Sequence, residues 1–379
     1  MLVEDCSPTQ VSVQDAAKLA DLVYVSTDEP GIGRRRAGKG FFYSGPDLAR
    51  VTDKRVVQRI RSLAVPPAWR DVWICIRPNG HIQAVGYDDN GRKQYCYHAR
   101  FRELREEVKF GHLLAFAEAL PALRVQVDAD MRTRGLGRDK VLATVVHLLE
   151  TTMIRVGNRA YAKDNKSYGL TTLRARHVKV DGDALRFHFK GKSGKIWRLG
   201  VRDRRVAKIV KACQDLPGQH LFQYLDDAGE PQAITSADIN AYLKRVSGRD
   251  VTAKDFRTWA GTVMAASALL EMGSAETKAQ AKKTLTQAVR QVAARLGNTP
   301  AICRKCYIHP QIVSAYLDGR LTLDLEGRSG ADDRPELLRP EEAAVLDFLR
   351  TRLPAAGVVV PGPWRGADPQ DSHSRGYHG

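Results

Sequence analysis

Arg155, Lys192, Arg257, Asn298 and Tyr307 are the residues whose types and order could do chemistry together. Arg155 stands in Met153-Ile154-Arg155-Val156-Gly157-Asn158 and Lys192 in the turn Gly191-Lys192-Ser193-Gly194. Arg257 stands in Lys254-Asp255-Phe256-Arg257-Thr258-Trp259, and Asn298 in Leu296-Gly297-Asn298-Thr299-Pro300. Tyr307 closes Ile302-Cys303-Arg304-Lys305-Cys306-Tyr307. The set suits phosphoryl transfer without a metal. A phosphodiester is already anionic, and its transition state gathers more charge on the equatorial oxygens. Guanidinium forks match two such oxygens and stay charged, and losing one preorganised donor typically costs ~3–4 kcal/mol of barrier. Taken singly, each residue has an ordinary reading: a solvated arginine after a helix, an edge lysine, a half-buried helix tyrosine. Only the ordered set is informative.

Other motifs fail on inspection. Gly33 to Lys39 matches the first positions of a phosphate-binding P-loop, but Gly40 follows where a Ser or Thr would hold magnesium. Asp181-Gly182-Asp183 needs no explanation beyond a hairpin turn, and Asp128-x-Asp130 stands alone. Cys303-x-x-Cys306-x-x-His309 has zinc-like spacing without a fourth ligand. We therefore expect no metal, no nucleotide and no other cofactor. The net charge of +17, from 60 Lys plus Arg against 43 Asp plus Glu, points to a polyanionic partner, nucleic acid first. The N-terminus lacks the basic flank and apolar core of a signal peptide, and no apolar run approaches the ~18 residues of a membrane span. Six scattered cysteines read as reduced thiols of a cytoplasmic protein.

Further words in the chain resemble one known family. Leu63-Ala64-Val65-Pro66-Pro67-Ala68-Trp69, Gly80-His81-Ile82-Gln83-Ala84-Val85-Gly86-Tyr87-Asp88 and Tyr168-Gly169-Leu170-Thr171-Thr172-Leu173 join the segments around Arg257 and Asn298. Together, from about Tyr24 to Leu317, they resemble the type IB DNA topoisomerases, in particular the compact poxvirus-like branch found in bacteria. The resemblance implies that Arg155 and Arg257 clamp the scissile phosphate and that Lys192, assisted by Lys254, protonates the leaving 5′ oxygen. It implies that Tyr307 attacks and forms a 3′-phosphotyrosyl bond, relaxing supercoils of either sign. Asn298 departs from viral and nuclear members, which carry histidine there; an amide can donate to a phosphoryl oxygen but cannot titrate. Double-stranded DNA is the implied partner, with the protein a monomer that clamps the duplex, cytoplasmic and associated with the nucleoid. Arg34, Arg35, Arg36 and Lys39, with Arg132, Arg134 and Arg138, are the candidate phosphate contacts. A tyrosine recombinase shares this chemistry, but usually shows His-x-x-Arg where Lys254-x-x-Arg257 stands. A catalytically silent DNA-binding protein is the other alternative, against which every catalytic position carries a usable residue.

The elements that must position these residues read as an α+β chain. At roughly 150 residues per domain, 379 residues suggest two domains and a remainder. Residues 1–20 look loosely ordered, and Gly31–Gly40 reads as a Gly-rich basic loop. Residues 21–100 form a small antiparallel sheet with one helix, Val51 to Leu63; strands at Trp73–Arg77, Ile82–Tyr87 and Lys93–Tyr97 are joined by turns that include Asn-Gly steps. Residues 101–139 hold an apolar-striped helix ending at Pro121 and a Gly-bearing basic hinge, Met131 to Arg138. The catalytic domain spans 140–328: a helix at Lys140–Ile154, hairpin strands at His177–Val180, Leu185–Phe189 and Lys195–Val201, and helices from Ser236 to Leu317. Residues 329–379 are a Pro-rich tail with one helix, Pro340 to Leu353, and otherwise disordered.

Overall fold

The computed structural model describes residues 13–38, 40–325 and 338–352. The chain forms two compact units that divide between Phe110 and Gly111, inside a helix.

Of the first unit's residues 1–20, expected to be loosely ordered, 1–12 lie outside the described residues, while the rest holds the helix α1 (Val13–Leu19), with Ala16 and Ala17 buried. The unit's sheet comprises β1 (Ile32–Ala37), β2 (Gly40–Ser44), β3 (Arg70–Ile74), β4 (Ile82–Tyr87) and β5 (Lys93–Tyr97), in the antiparallel order β2-β1-β3-β4-β5. The expected basic loop is thus a hairpin, with Gly33 opposite Ser44 and Ala37 opposite Gly40. Two facts hidden in the glycine pattern explain the correction. Gly38 turns the chain at φ +53, and Gly31 is glycine because a Cβ there would lie 2.1 Å from the Trp73 indole nitrogen. α2 (Lys54–Ser62) is capped by the Asp53 carboxylate, which accepts from the amides of Arg55 and Val56. It buries Ile60 against Ile32, Val72, Ile74 and Ala84 of the sheet.

α3 (Ala99–Arg132) crosses the division and runs straight through Pro121, where the sequence predicts its end. Proline inside a helix costs about 3 kcal/mol. Burial of Leu123, Val127 and Met131, spaced four apart on one face beyond it, offsets that cost at roughly 1.5–3 kcal/mol each.

In the second unit, α4 (Arg138–Thr152) is buried along most of its length and α5 (Arg159–Asn165) follows. β6 (Val178–Asp181), β7 (Ala184–Lys190) and β8 (Ile196–Arg202) form an antiparallel sheet backed by α6 (Arg204–Gln214). A short pair, β9 (Gln223–Leu225) and β10 (Pro231–Ala233), precedes five helices. These are α7 (Ser236–Ser247), α8 (Ala253–Glu271), α9 (Lys278–Leu296), α10 (Pro300–Tyr307) and α11 (Pro310–Leu317). α8 is the central strut, burying Phe256, Trp259, Ala265 and Leu269. The tail's helix α12 (Pro340–Arg352) packs onto this unit: Val345 and Leu349 are fully buried, and Glu342 binds Arg124 at 2.8 Å. The rest of the expected tail, residues 329–337 and 353–379, lies outside the described residues.

Candidate active site

Arg155 lies just beyond α4, whose last turn closes on Met153 in the left-handed conformation (φ 59). The chain then doubles back on the Tyr168–Leu173 segment. Leu170 donates its amide to the Arg155 carbonyl at 2.9 Å, and Thr171 donates amide and hydroxyl to the Val156 carbonyl at 2.7 and 2.9 Å. The two strands of this crossing touch through glycine. A Cβ on Gly169 would sit 2.5 Å from the Arg155 carbonyl oxygen and 2.6 Å from the Gly157 backbone. Tyr168 in turn donates its amide to the Lys190 carbonyl at 2.8 Å, tying the crossing to the end of β7, next to the Lys192 turn. That turn is closed by the Gly191 amide on the Lys195 carbonyl at 2.8 Å, with Ser193 and Gly194 at φ 59 and 77.

Arg257, on the first turns of α8, is 3% exposed. Its guanidinium donates to the Met153 carbonyl and, at 2.6 Å, to the Leu296 carbonyl, so it binds the end of α4 to the end of α9. Its Nε is buried without a hydrogen-bond partner. Burial, then the neighbouring charge of Arg155, pushes its pKa down to about 10, against the opposing influence of Tyr307. It remains a cation at neutral pH.

Gly297 caps α9 at φ 64, a conformation that favours glycine, and turns Asn298 toward the arginines. Arg155 donates to the Asn298 side-chain oxygen, which fixes the amide's orientation and leaves its Nδ2 donor buried without a partner. Tyr307 is half-buried at the end of α10, with its ring 5.2 Å from the Arg257 guanidinium carbon. Its backbone rests on α8 at Gly261, where a Cβ would meet the Tyr307 carbonyl at 2.5 Å. The hydroxyl of Thr262 reaches that same carbonyl at 3.5 Å.

A cleft of about 300 Å³ collects Arg155, Lys192, Lys254, Arg257 and Tyr307 on its wall, with Lys192 and Lys254 exposed at its rim. Asn298 does not line the cleft; it joins the group through Arg155. Asn158, Ser167 and Tyr168 also line it, and the sequence reading did not single them out. Their presence inside or beside the words carrying Arg155 and Gly169 was the available signal.

The basic residues expected on DNA fall into different situations. Arg34 donates to the carbonyls of Val65, Pro66 and Trp69 at 3.0, 3.0 and 2.6 Å and lies 4.3 Å from the Phe41 ring centre, so its fork is occupied within the first unit. Arg35, Arg36 and Arg134 are exposed. Arg132 pairs with Asp128 at 2.8 Å and Arg138 with Asp238 at 2.6 Å. Lys39 lies outside the described residues. His309, third member of the zinc-like spacing, caps α11 by accepting the Gln311 amide at 3.1 Å, which accounts for its place. Among the described residues no helix is long and apolar enough to cross a membrane.

Comparison with known proteins adds an independent line. Residues 98–322 match the family described as eukaryotic DNA topoisomerase I, catalytic core. Residues 40–88 match that described as bacterial DNA topoisomerase IB, N-terminal domain. The chain is 32% identical over 293 residues to DNA topoisomerase 1B of Acanthamoeba polyphaga mimivirus, covering 76% of this chain and 87% of that protein. It is 23% identical over 253 residues to DNA topoisomerase 1B of vaccinia virus (strain Copenhagen), covering 66% of this chain and 76% of the viral protein.

Proposed function

This chain belongs to the type IB DNA topoisomerases, and we propose from that premise that Tyr307 cuts and reseals one strand of duplex DNA in the cleft it shares with Arg155, Lys192, Lys254 and Arg257. The observation that carries the reading is that these five side chains, drawn from four separate segments, line one cleft of about 300 Å³.

A backbone phosphate enters the cleft with its nonbridging oxygens toward Arg155 and Arg257. The Arg257 guanidinium is already desolvated and held in place by two carbonyls, so it meets the phosphate without reorganising, and Asn298, outside the cleft's lining, supports the Arg155 fork that hydrogen-bonds it. Tyr307 Oη forms a bond to phosphorus and releases its proton, while the bond from phosphorus to the 5′ oxygen breaks. Lys192, assisted by Lys254 on the same cleft, gives that oxygen its proton. The product is a 3′-phosphotyrosyl ester and a free 5′ hydroxyl. One phosphoester has replaced another, so the reverse attack reseals the strand without ATP. While the ester lasts, the free end rotates and supercoils of either sign relax.

The protein acts as a monomer gripping duplex DNA, in the cytoplasm and on the nucleoid, with Arg35, Arg36 and Arg134 among its phosphate contacts. The test is relaxation of supercoiled plasmid in EDTA without ATP, comparing the parent with Tyr307→Phe. Relaxation by the parent alone, with a protein–DNA adduct absent from the variant, is expected. An inactive parent or a fully active variant would overturn the assignment.

A further inference from the structure

We infer that Trp197 is a positioning residue that holds the Lys192 turn in register with the Gly297–Asn298 turn. The inference rests on Lys192 being the proton donor proposed above, and the observations behind it are separate from the cleft. Trp197 lies on β8 directly opposite Phe189 of β7, their rings parallel with centres 6.2 Å apart. From that base the indole occupies the space of two missing side chains. A Cβ on Gly191 would lie 2.7 Å from its Cδ1 and Nε1, and a Cβ on Gly297 would lie 2.8 Å from its Cζ2. One rigid ring therefore stands between the backbone preceding Lys192 and the backbone preceding Asn298.

The two glycines differ in a way that isolates the ring's role. Gly297 sits at φ 64, where glycine is favoured whatever surrounds it. Gly191 sits at φ −96 and ψ −167, extended backbone open to any residue, so the indole is what excludes a side chain there. Trp197 does not line the cleft. It lines a neighbouring cavity of about 270 Å³ with Thr151, Thr152 and Arg295, so it acts through the turns it contacts rather than on the substrate. Lys192 itself is exposed, on a turn whose conformation depends on Ser193 and Gly194 at positive φ. A lysine at the tip of such a turn needs a rigid reference if its ammonium group is to reach one oxygen reproducibly. A misplacement of about 1 Å can cost on the order of 10²-fold in rate.

The test uses single-turnover cleavage of a duplex that the parent enzyme cuts, made with either an ordinary phosphodiester or a 5′-bridging sulfur at the scissile position. Sulfur leaves without a proton, so a defect confined to proton donation disappears on that substrate. Trp197→Ala is expected to slow cleavage of the ordinary duplex roughly tenfold or more, and to cut the sulfur duplex within about threefold of the parent. Gly191→Ala, which only adds a methyl group in the indole's space, is expected to do the same, with thermal melting confirming that both variants fold. A defect of equal size on both substrates, or none on either, would overturn the positioning role. Lys192→Ala separates the two claims: if it is not restored by sulfur, the reading of Lys192 fails; if it is restored while Gly191→Ala is not, only the role of Trp197 fails.

Discussion

Replacing Gly169 by alanine should silence this enzyme without touching any group proposed to contact DNA. Gly169 occupies extended backbone, φ −144 and ψ 178, that alanine adopts without strain, so the whole effect is steric. Its new Cβ would meet the Arg155 carbonyl at 2.5 Å and the Gly157 nitrogen and Cα at 2.6 Å. All three are backbone atoms, so no rotamer change relieves them. Reaching an ordinary contact near 3.4 Å requires a displacement of roughly 0.9 Å, taken by the segment that carries Arg155. A shift of about that size costs on the order of 10²-fold in rate, or about 2.7 kcal/mol of barrier. Overpacking adds about 1–3 kcal/mol of lost stability, which lowers the melting temperature but leaves a folded protein. Single-turnover cleavage at saturating enzyme reads the first effect, and a thermal melt reads the second. Plasmid binding at fixed salt should stay near parental. Gly169→Ala cleaving at the parent rate would refute the claim that this glycine crossing sets the position of Arg155.

Four further outcomes follow from the same geometry. Arg257→Lys keeps a charge but cannot hold the Met153 and Leu296 carbonyls together, so cleavage should fall by about 10²–10³-fold with a lower melting temperature; a near-parental rate would remove Arg257 from the site. Asn298 cannot titrate, whereas Asn298→His would introduce a group of pKa near ~6.5 beside Arg155, so only the variant's cleavage rate should bend around that pH; parallel profiles would count against coupling between this position and the phosphate through Arg155. Arg34→Ala should destabilise the first unit by about 1–3 kcal/mol, since it leaves three carbonyls without their donor, while the salt dependence of DNA binding is unchanged; Arg35→Ala should do the opposite, lowering the salt slope by about one. His177, buried beside Arg176 and Arg174 and packed 4.4 Å from the Tyr168 ring, has its pKa lowered from 6.5 to about 4, chiefly by burial. Between those values the unfolded chain binds a proton that the folded one refuses, so the neutral imidazole's stabilisation, present above pH 6.5, is lost as pH falls toward about 4. His177→Phe should flatten the melting curve against pH in that window, and an unchanged slope would refute the assignment.

The sequence by itself supplied the candidate residues of the proposed chemistry and determined much of the helical frame. Residue type is local information: an arginine fork, a lysine, an amide and a tyrosine keep their properties wherever the chain puts them. Periodicity is local too, which is why α4, the β7–β8 hairpin and α12 were legible from apolar spacing and turn residues. Tertiary structure decided matters that depend on what lies across a gap. Pro121 marks a helix end in the sequence because its local cost is visible there, while the packing of Leu123, Val127 and Met131 that offsets it is not. Gly31–Gly40 has the sequence of a loop because glycine signals freedom; only the Trp73 ring shows that Gly31 is needed for close approach within a sheet. Arg34 stands in a basic run that suggests DNA, yet three carbonyls from distant residues claim its donors. The candidate site divides along the same line. Its five cleft residues were nameable from the chain. That Arg155 orients Asn298, that Arg257 joins two helix ends and that Trp197 stands between two turns follow from contacts between residues far apart in sequence, which no local pattern encodes.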